Sequence, residues 1–148
     1  MSALSKEKMV EWQNLGLQVR AEISAGNPEH AQALLEKCWL LFPVPRSECS
    51  DSVSFVRGAI RAMAFSGRPA LALRWISELK NVPVSDIDPG PDFLQGVTYY
   101  ELGDMDQAFE YFKRTYTMSK GRSFLDEDPK YLGFYKMRIA KEKLQGNS

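Results

Sequence analysis

A chain of 148 residues, 44% apolar and 26% charged, is long enough to bury a continuous core and has the composition of neither a disordered tail nor a membrane protein. Nineteen basic side chains balance nineteen acidic ones, which removes the overall positive field that a phosphate-tracking nucleic-acid binder exploits. No run approaches the roughly 20 apolar residues that cross a bilayer, and MSALSKEKMVEWQNLGLQVRAEIS lacks the features of a secretory leader, so a cytoplasmic protein without nucleic-acid or membrane partners is expected.

Three helical hairpins and a closing helix are predicted in chain order. The first spans about residues 6–43, with its turn in AGNPEHAQALL: Gly26 ends one helix, Asn27 caps the next and Pro28 begins it, where a missing N–H costs nothing. The second spans about 51–81. Its first helix reads FVRGAIRAMAF, and SGRPALALRWI repeats the turn at Gly67 and Pro69, with Arg68 a poor cap. The third, about 90–119, contains FLQGVTYYELGDMDQAFEYFKRTY. There Gly103 suits a left-handed helix end, and Asp104 caps the following helix with Gln107 three residues on.

Gly26, Gly67 and Gly103 lie 41 and 36 residues apart, and each is followed five positions later by a small residue, Ala31, Ala72 and Ala108. Fixed spacing of this kind marks a repeat architecture. The loops PVPRSECSDS and NVPVSDIDPGPD separate the hairpins. A last helix, about 129–145, starts at Pro129 behind Asp128. It carries an apolar face of Tyr131, Phe134 and Tyr135 and then Lys136, Arg138, Lys141 and Lys143, which favours a solvated cap at the end of the stack.

The unit resembles the tetratricopeptide repeat, a helix–turn–helix of about 34 residues. The third hairpin carries most of the resemblance: Gly96 and Tyr99 match the glycine and tyrosine of the first helix, Ala108 the small residue at the helix crossing, and Phe112 the following aromatic. The first hairpin keeps Ala31, Leu35, Cys38 and Pro43; the second keeps Gly67 and Ala72 and has Met63 in place of the tyrosine. The resemblance implies an all-α fold of seven helices, a single right-handed superhelical stack over residues 1–148. The third hairpin together with the DEDPKYLGFYK tail also resembles small bacterial tetratricopeptide proteins.

Catalytic chemistry finds few groups. His30 is the single histidine, and Cys38, eight residues along the same helix, is about 12 Å away by helical rise, beyond thiol–imidazole reach. One histidine and the two separated cysteines, Cys38 and Cys49, assemble no metal-ligand set, and the acidic run Asp126, Glu127, Asp128 reads as a capped loop. No enzyme activity, metal ion or cofactor is expected.

In stacked helical hairpins the first helices line the concave surface. Arg57 and Arg61, four apart on one face, and Arg20 at the equivalent place in the first hairpin are expected in that groove, with Phe93, Val97, Tyr100 and Glu101 from the third. Arginine forks bind carboxylates and aromatic anchors dominate interfaces, so an acidic segment of another protein is the expected ligand. Trp39 and Trp75 read as core. Trp12 has no preceding repeat to cover it. The resemblance implies a protein-binding adaptor, most concretely an immunity protein that neutralises a cognate toxin, with a secretion chaperone as the alternative.

Overall fold

A computed structural model describes residues 4–146. Among them are seven α-helices, four short 3-10 turns and no strand, in the all-α class that the helical periodicity predicts. The chain divides between Ser85 and Asp86 into two compact units. The first holds α1 (Lys6–Ser24), α2 (Pro28–Trp39), α3 (Asp51–Ala64) and α4 (Ala72–Ile76); the second holds α5 (Gly90–Leu102), α6 (Met105–Ser119) and α7 (Pro129–Gly146).

The turns form where the glycines stand. Gly26, Gly67 and Gly103 adopt φ of 81°, 88° and 85°, a left-handed conformation that only glycine adopts without strain. Asp104 Oδ1 then accepts from Gln107 N at 3.2 Å, and Asp128 Oδ1 accepts from Lys130 N at 3.0 Å at the head of α7. Asn27 behaves differently from its reading as a cap: its side-chain amide donates back to Glu22 at 3.0 Å, and the N-terminus of α2 relies on Pro28 instead. The second helix of the middle hairpin is broken. Pro69–Leu71 winds as a 3-10 turn, α4 runs for five residues, and the chain tightens again at Leu79–Asn81. Arg68 gives no side-chain cap, and Ser77 Oγ donates to the Arg74 carbonyl, so local bonds compete with the helical ladder at both ends.

Two aromatic clusters hold the two units. In the first, Trp39 stacks on Phe55 at 5.5 Å, and Trp75 meets both edge-on, at 6.1 and 5.4 Å. Both indoles are satisfied: Trp39 Nε1 donates to Glu78 at 2.8 Å and Trp75 Nε1 donates to Gln32 at 2.7 Å. Burying rings with their one polar atom paired retains the apolar gain, about 1.5–3 kcal/mol or more for each large side chain, without a desolvation cost. Glu78 also pairs with Arg74, which reaches Glu36 on α2, so one carboxylate network ties the broken helix to the first hairpin. Arg68 pairs with Glu29 and adds a second tie.

In the second unit Phe112 is wholly buried, with the rings of Phe93, Phe124, Tyr131 and Phe134 between 5.4 and 6.2 Å from it. A Cβ on Gly96 would stand 2.5 Å from that ring, so glycine is required for α5 and α6 to approach. Ala31, Ala72 and Ala108 are all fully buried, as their repeat positions predict. Tyr99 stacks on Tyr111 at 5.6 Å. Thr98 and Thr115, buried within these helices, satisfy their hydroxyls on the carbonyls of Leu94 and Tyr111. The closing helix is less purely solvating than its sequence suggests, since Met137 and Leu144 stand exposed on it.

Candidate binding groove

The first unit contains an open cleft of about 460 Å³ between α1 and α3, floored by Leu35 and Cys38 of α2. Trp12, Gly16 and Arg20 line the α1 wall; Ser54, Gly58 and Ala62 line the α3 wall. These sets are spaced four apart, so each is one stripe of its helix. Trp12 closes one end and meets Phe42 edge-on at 6.2 Å. Leu17 rises from the α1 wall with 62% of its surface exposed.

The wall is low because its middle positions are small. Gly16 and Gly58 sit inside their helices, and a Cβ on either would meet nothing within 4 Å. Neither glycine has positive φ. A glycine inside a helix costs about 0.5–1 kcal/mol relative to alanine, so these two hollow the cleft at the expense of the fold.

Arg20 is the one charged side chain of the lining, and among the described residues it has neither an ion pair nor a hydrogen bond. Cys38 is buried in the floor, and burial, with the Glu11 carboxylate adding to it, pushes its thiol up to about 11, which leaves it a packing residue rather than a nucleophile at neutral pH. His30 is exposed at the start of α2 and pairs with Glu22 at 3.1 Å, outside the cleft. Among the described residues no three histidine, cysteine or acidic side chains are grouped to hold a metal ion.

The remaining expected groove residues are placed differently. Arg57 and Arg61 do not line the cleft; Arg61 lies over the Phe65 ring at 5.6 Å. The row that faces α1 is 54, 58 and 62, one residue on from 57 and 61. Equivalent positions in successive hairpins point the same way, not toward each other, so Arg20 in one wall does not place Arg61 in the opposite one.

In the second unit Phe93 and Val97 are 3% and 0% exposed, which corrects their assignment to a partner-binding surface. Helix α7 supplies the cover. Tyr131 packs edge-on against Phe93 at 6.1 Å and Tyr100 at 5.2 Å, and Phe134 reaches Tyr100 at 5.4 Å. Tyr131 donates its hydroxyl to Glu101 at 2.8 Å, and Lys130 Nζ lies 2.8 Å from the same carboxylate. Burial, and then the Glu101 carboxylate, hold the Tyr131 phenol far above the ordinary tyrosine range, so it stays a donor. Tyr100 and Glu101 are therefore spent on α7. Sequence reasoning missed Gly16, Gly58 and Ala62 as cleft residues; the signal for them is two mid-helix glycines without a turn to serve.

No described helix is long and apolar enough to cross a membrane. No family model matches the chain, and no curated protein or solved structure is significantly similar to it.

Proposed function

We propose that the chain is a non-catalytic protein-binding module of the tetratricopeptide type, which holds a segment of another protein in the cleft between α1 and α3. One observation carries the reading: an open, mainly apolar cleft of about 460 Å³ with a single unpaired cation on its wall. Concave apolar sites with few polar groups are where ligands bind. The partner we propose is a cognate toxin, neutralised in the cytoplasm by an immunity protein. Support for that identity is the resemblance of the C-terminal third to small bacterial repeat proteins. A secretion chaperone would use the same cleft, and neighbouring genes separate the two: a toxin gene beside this one, or genes of a secretion apparatus.

The test compares affinity capture from the native cells by the tagged chain and by Gly58→Leu, which fills the cleft from its open side. A protein retained by the first and lost by the second, with both variants equally helical, supports the proposal. Equal retention by both removes the cleft from the function.

A further inference from the structure

Resting on the reading of this cleft as a protein-binding site, we infer that its occupant is an α-helix of the partner, with apolar or aromatic side chains along one face and a carboxylate set against Arg20.

The first ground is a comparison inside the chain. Helix α7 lies across α5 and α6 through Tyr131, Phe134, Tyr135 and Arg138, an i, i+3, i+4, i+7 stripe: Tyr131 and Phe134 reach Tyr100 of α5, and Tyr135 and Arg138 reach Phe109, Tyr116 and Asp106 of α6. Helix α3 presents Phe55, Gly58, Ala59 and Ala62 to the cleft at the same spacing. Where α7 has two aromatics and an arginine, α3 has a glycine and two alanines. The second unit fills with its own rings the kind of space that the first leaves hollow, so the missing volume has the chemistry of large apolar side chains.

The second ground is backbone approach. Gly16 and Gly58 face the cleft with no internal neighbour to accommodate, so the atoms they make room for come from outside. Interaxial distances between packed helices are set by the side chains at the contact, and small ones allow the closest crossing. Ser54 to Ala62 covers about 12 Å of α3, and positions i to i+7 of a docked helix cover about 10.5 Å.

The third ground is polarity. An extended peptide in this cleft would bury backbone N–H and C=O groups against walls whose polar side-chain groups are few: Gln13, Ser54, Arg20 and the Trp12 indole N–H. A helix brings those groups already paired. Arg20, unpaired on an otherwise uncharged wall, then selects a carboxylate on the rim of the docked helix.

The probe is a phage-displayed library of random peptides of about 16 residues, four to five helical turns. It is selected on the full chain and separately on Arg20→Glu, Gly58→Leu and Gly16→Leu. Wild type is expected to enrich apolar residues at i, i+3 or i+4 and i+7 with Asp or Glu at one fixed register. Arg20→Glu should enrich Lys or Arg at that register and bind the original peptides about tenfold more weakly, a difference of ~1.4 kcal/mol. Either leucine variant should lose the peptides while keeping its helicity. Aperiodic peptides that still require the open cleft would overturn the helix while leaving the protein-binding reading intact. So would a periodic set indifferent to the charge at position 20, for the carboxylate. Peptides insensitive to both leucine variants, or no enrichment at all, would sink the two readings together. A dimer in light scattering that Gly58→Leu dissolves would give the cleft to a second copy of this chain and overturn the inference.

Discussion

Alanine at two mid-helix glycines should move stability in opposite directions. At Gly58 a new Cβ meets nothing within 4 Å, so Gly58→Ala changes only the backbone freedom of the unfolded chain and the helix propensity. The gain is about 0.5–1 kcal/mol. For a unit of this size each kcal/mol moves the melting temperature by about 4–8 °C, so a rise of roughly 2–8 °C is expected. At Gly96 the same propensity gain is present, but the Cβ would stand 2.5 Å from Cδ1 and Cε1 of Phe112. That ring is fully buried among four others and has nowhere to turn. Overpacking costs about 1–3 kcal/mol, so after the propensity gain a net loss of up to about 2.5 kcal/mol follows. Urea melts followed by circular dichroism at several temperatures separate the outcomes. A Gly58→Ala protein less stable than wild type would refute the claim that this glycine has no role inside the fold. A Gly96→Ala protein stabilised as much as Gly58→Ala would refute the close approach of α5 and α6.

Trp75→Ala should cost about 3–5 kcal/mol, because it empties the centre of the first aromatic cluster and leaves Gln32 without its indole donor; chemical denaturation measures it. Glu78 keeps a lowered pKa: burial opposes its charge, but hydrogen bonds from Asn81, Arg74 and Trp39 and the charge of Arg74 outweigh it. Its contribution is therefore present above the ordinary value of 4.5 and is lost as pH falls through the lower folded value, so Glu78→Gln should flatten the acid side of the stability profile measured in urea. Cys38 and Cys49 are both buried and free, so a thiol reagent at pH 8 should modify neither in the native protein and both in denaturant. Rapid native reaction of Cys38 would show that the cleft opens further than its walls allow.

Much of the fold was legible because it is written in local chemistry. Left-handed glycines, prolines at first helical positions and aspartates at caps act within four residues, so Gly26, Gly67, Gly103, Pro28 and Asp104 could be read without knowing what they pack against. The fully buried alanines followed from the same register. The break in the middle hairpin was not legible. SGRPALALRWI has helical spacing throughout, but the uncapped Arg68 and the Ser77 bond to Arg74 are small local terms that decide a short segment once Trp75 is already anchored in the core. Asn27 failed as a cap for a similar reason, because Glu22, five residues back, offered its amide a charged acceptor.

The site is harder to read because repeat register gives the direction of a side chain but not the identity of its neighbour. Arg20, Arg61 and Val97 occupy equivalent positions, and the structure gives them three surroundings: an open cleft wall, the face of the Phe65 ring and a sealed core. Whether such a position is open depends on the next helix but one, which follows the hairpin. Beside α5 that helix is α7, whose Tyr131 and Phe134 are large enough to close the gap. Beside α1 it is α3, whose Gly58 and Ala62 are not. The open cleft in this chain is therefore encoded less by the residues that line it than by the absence of large side chains opposite them. In a single sequence that absence is carried by two glycines which a helix alone would be better without.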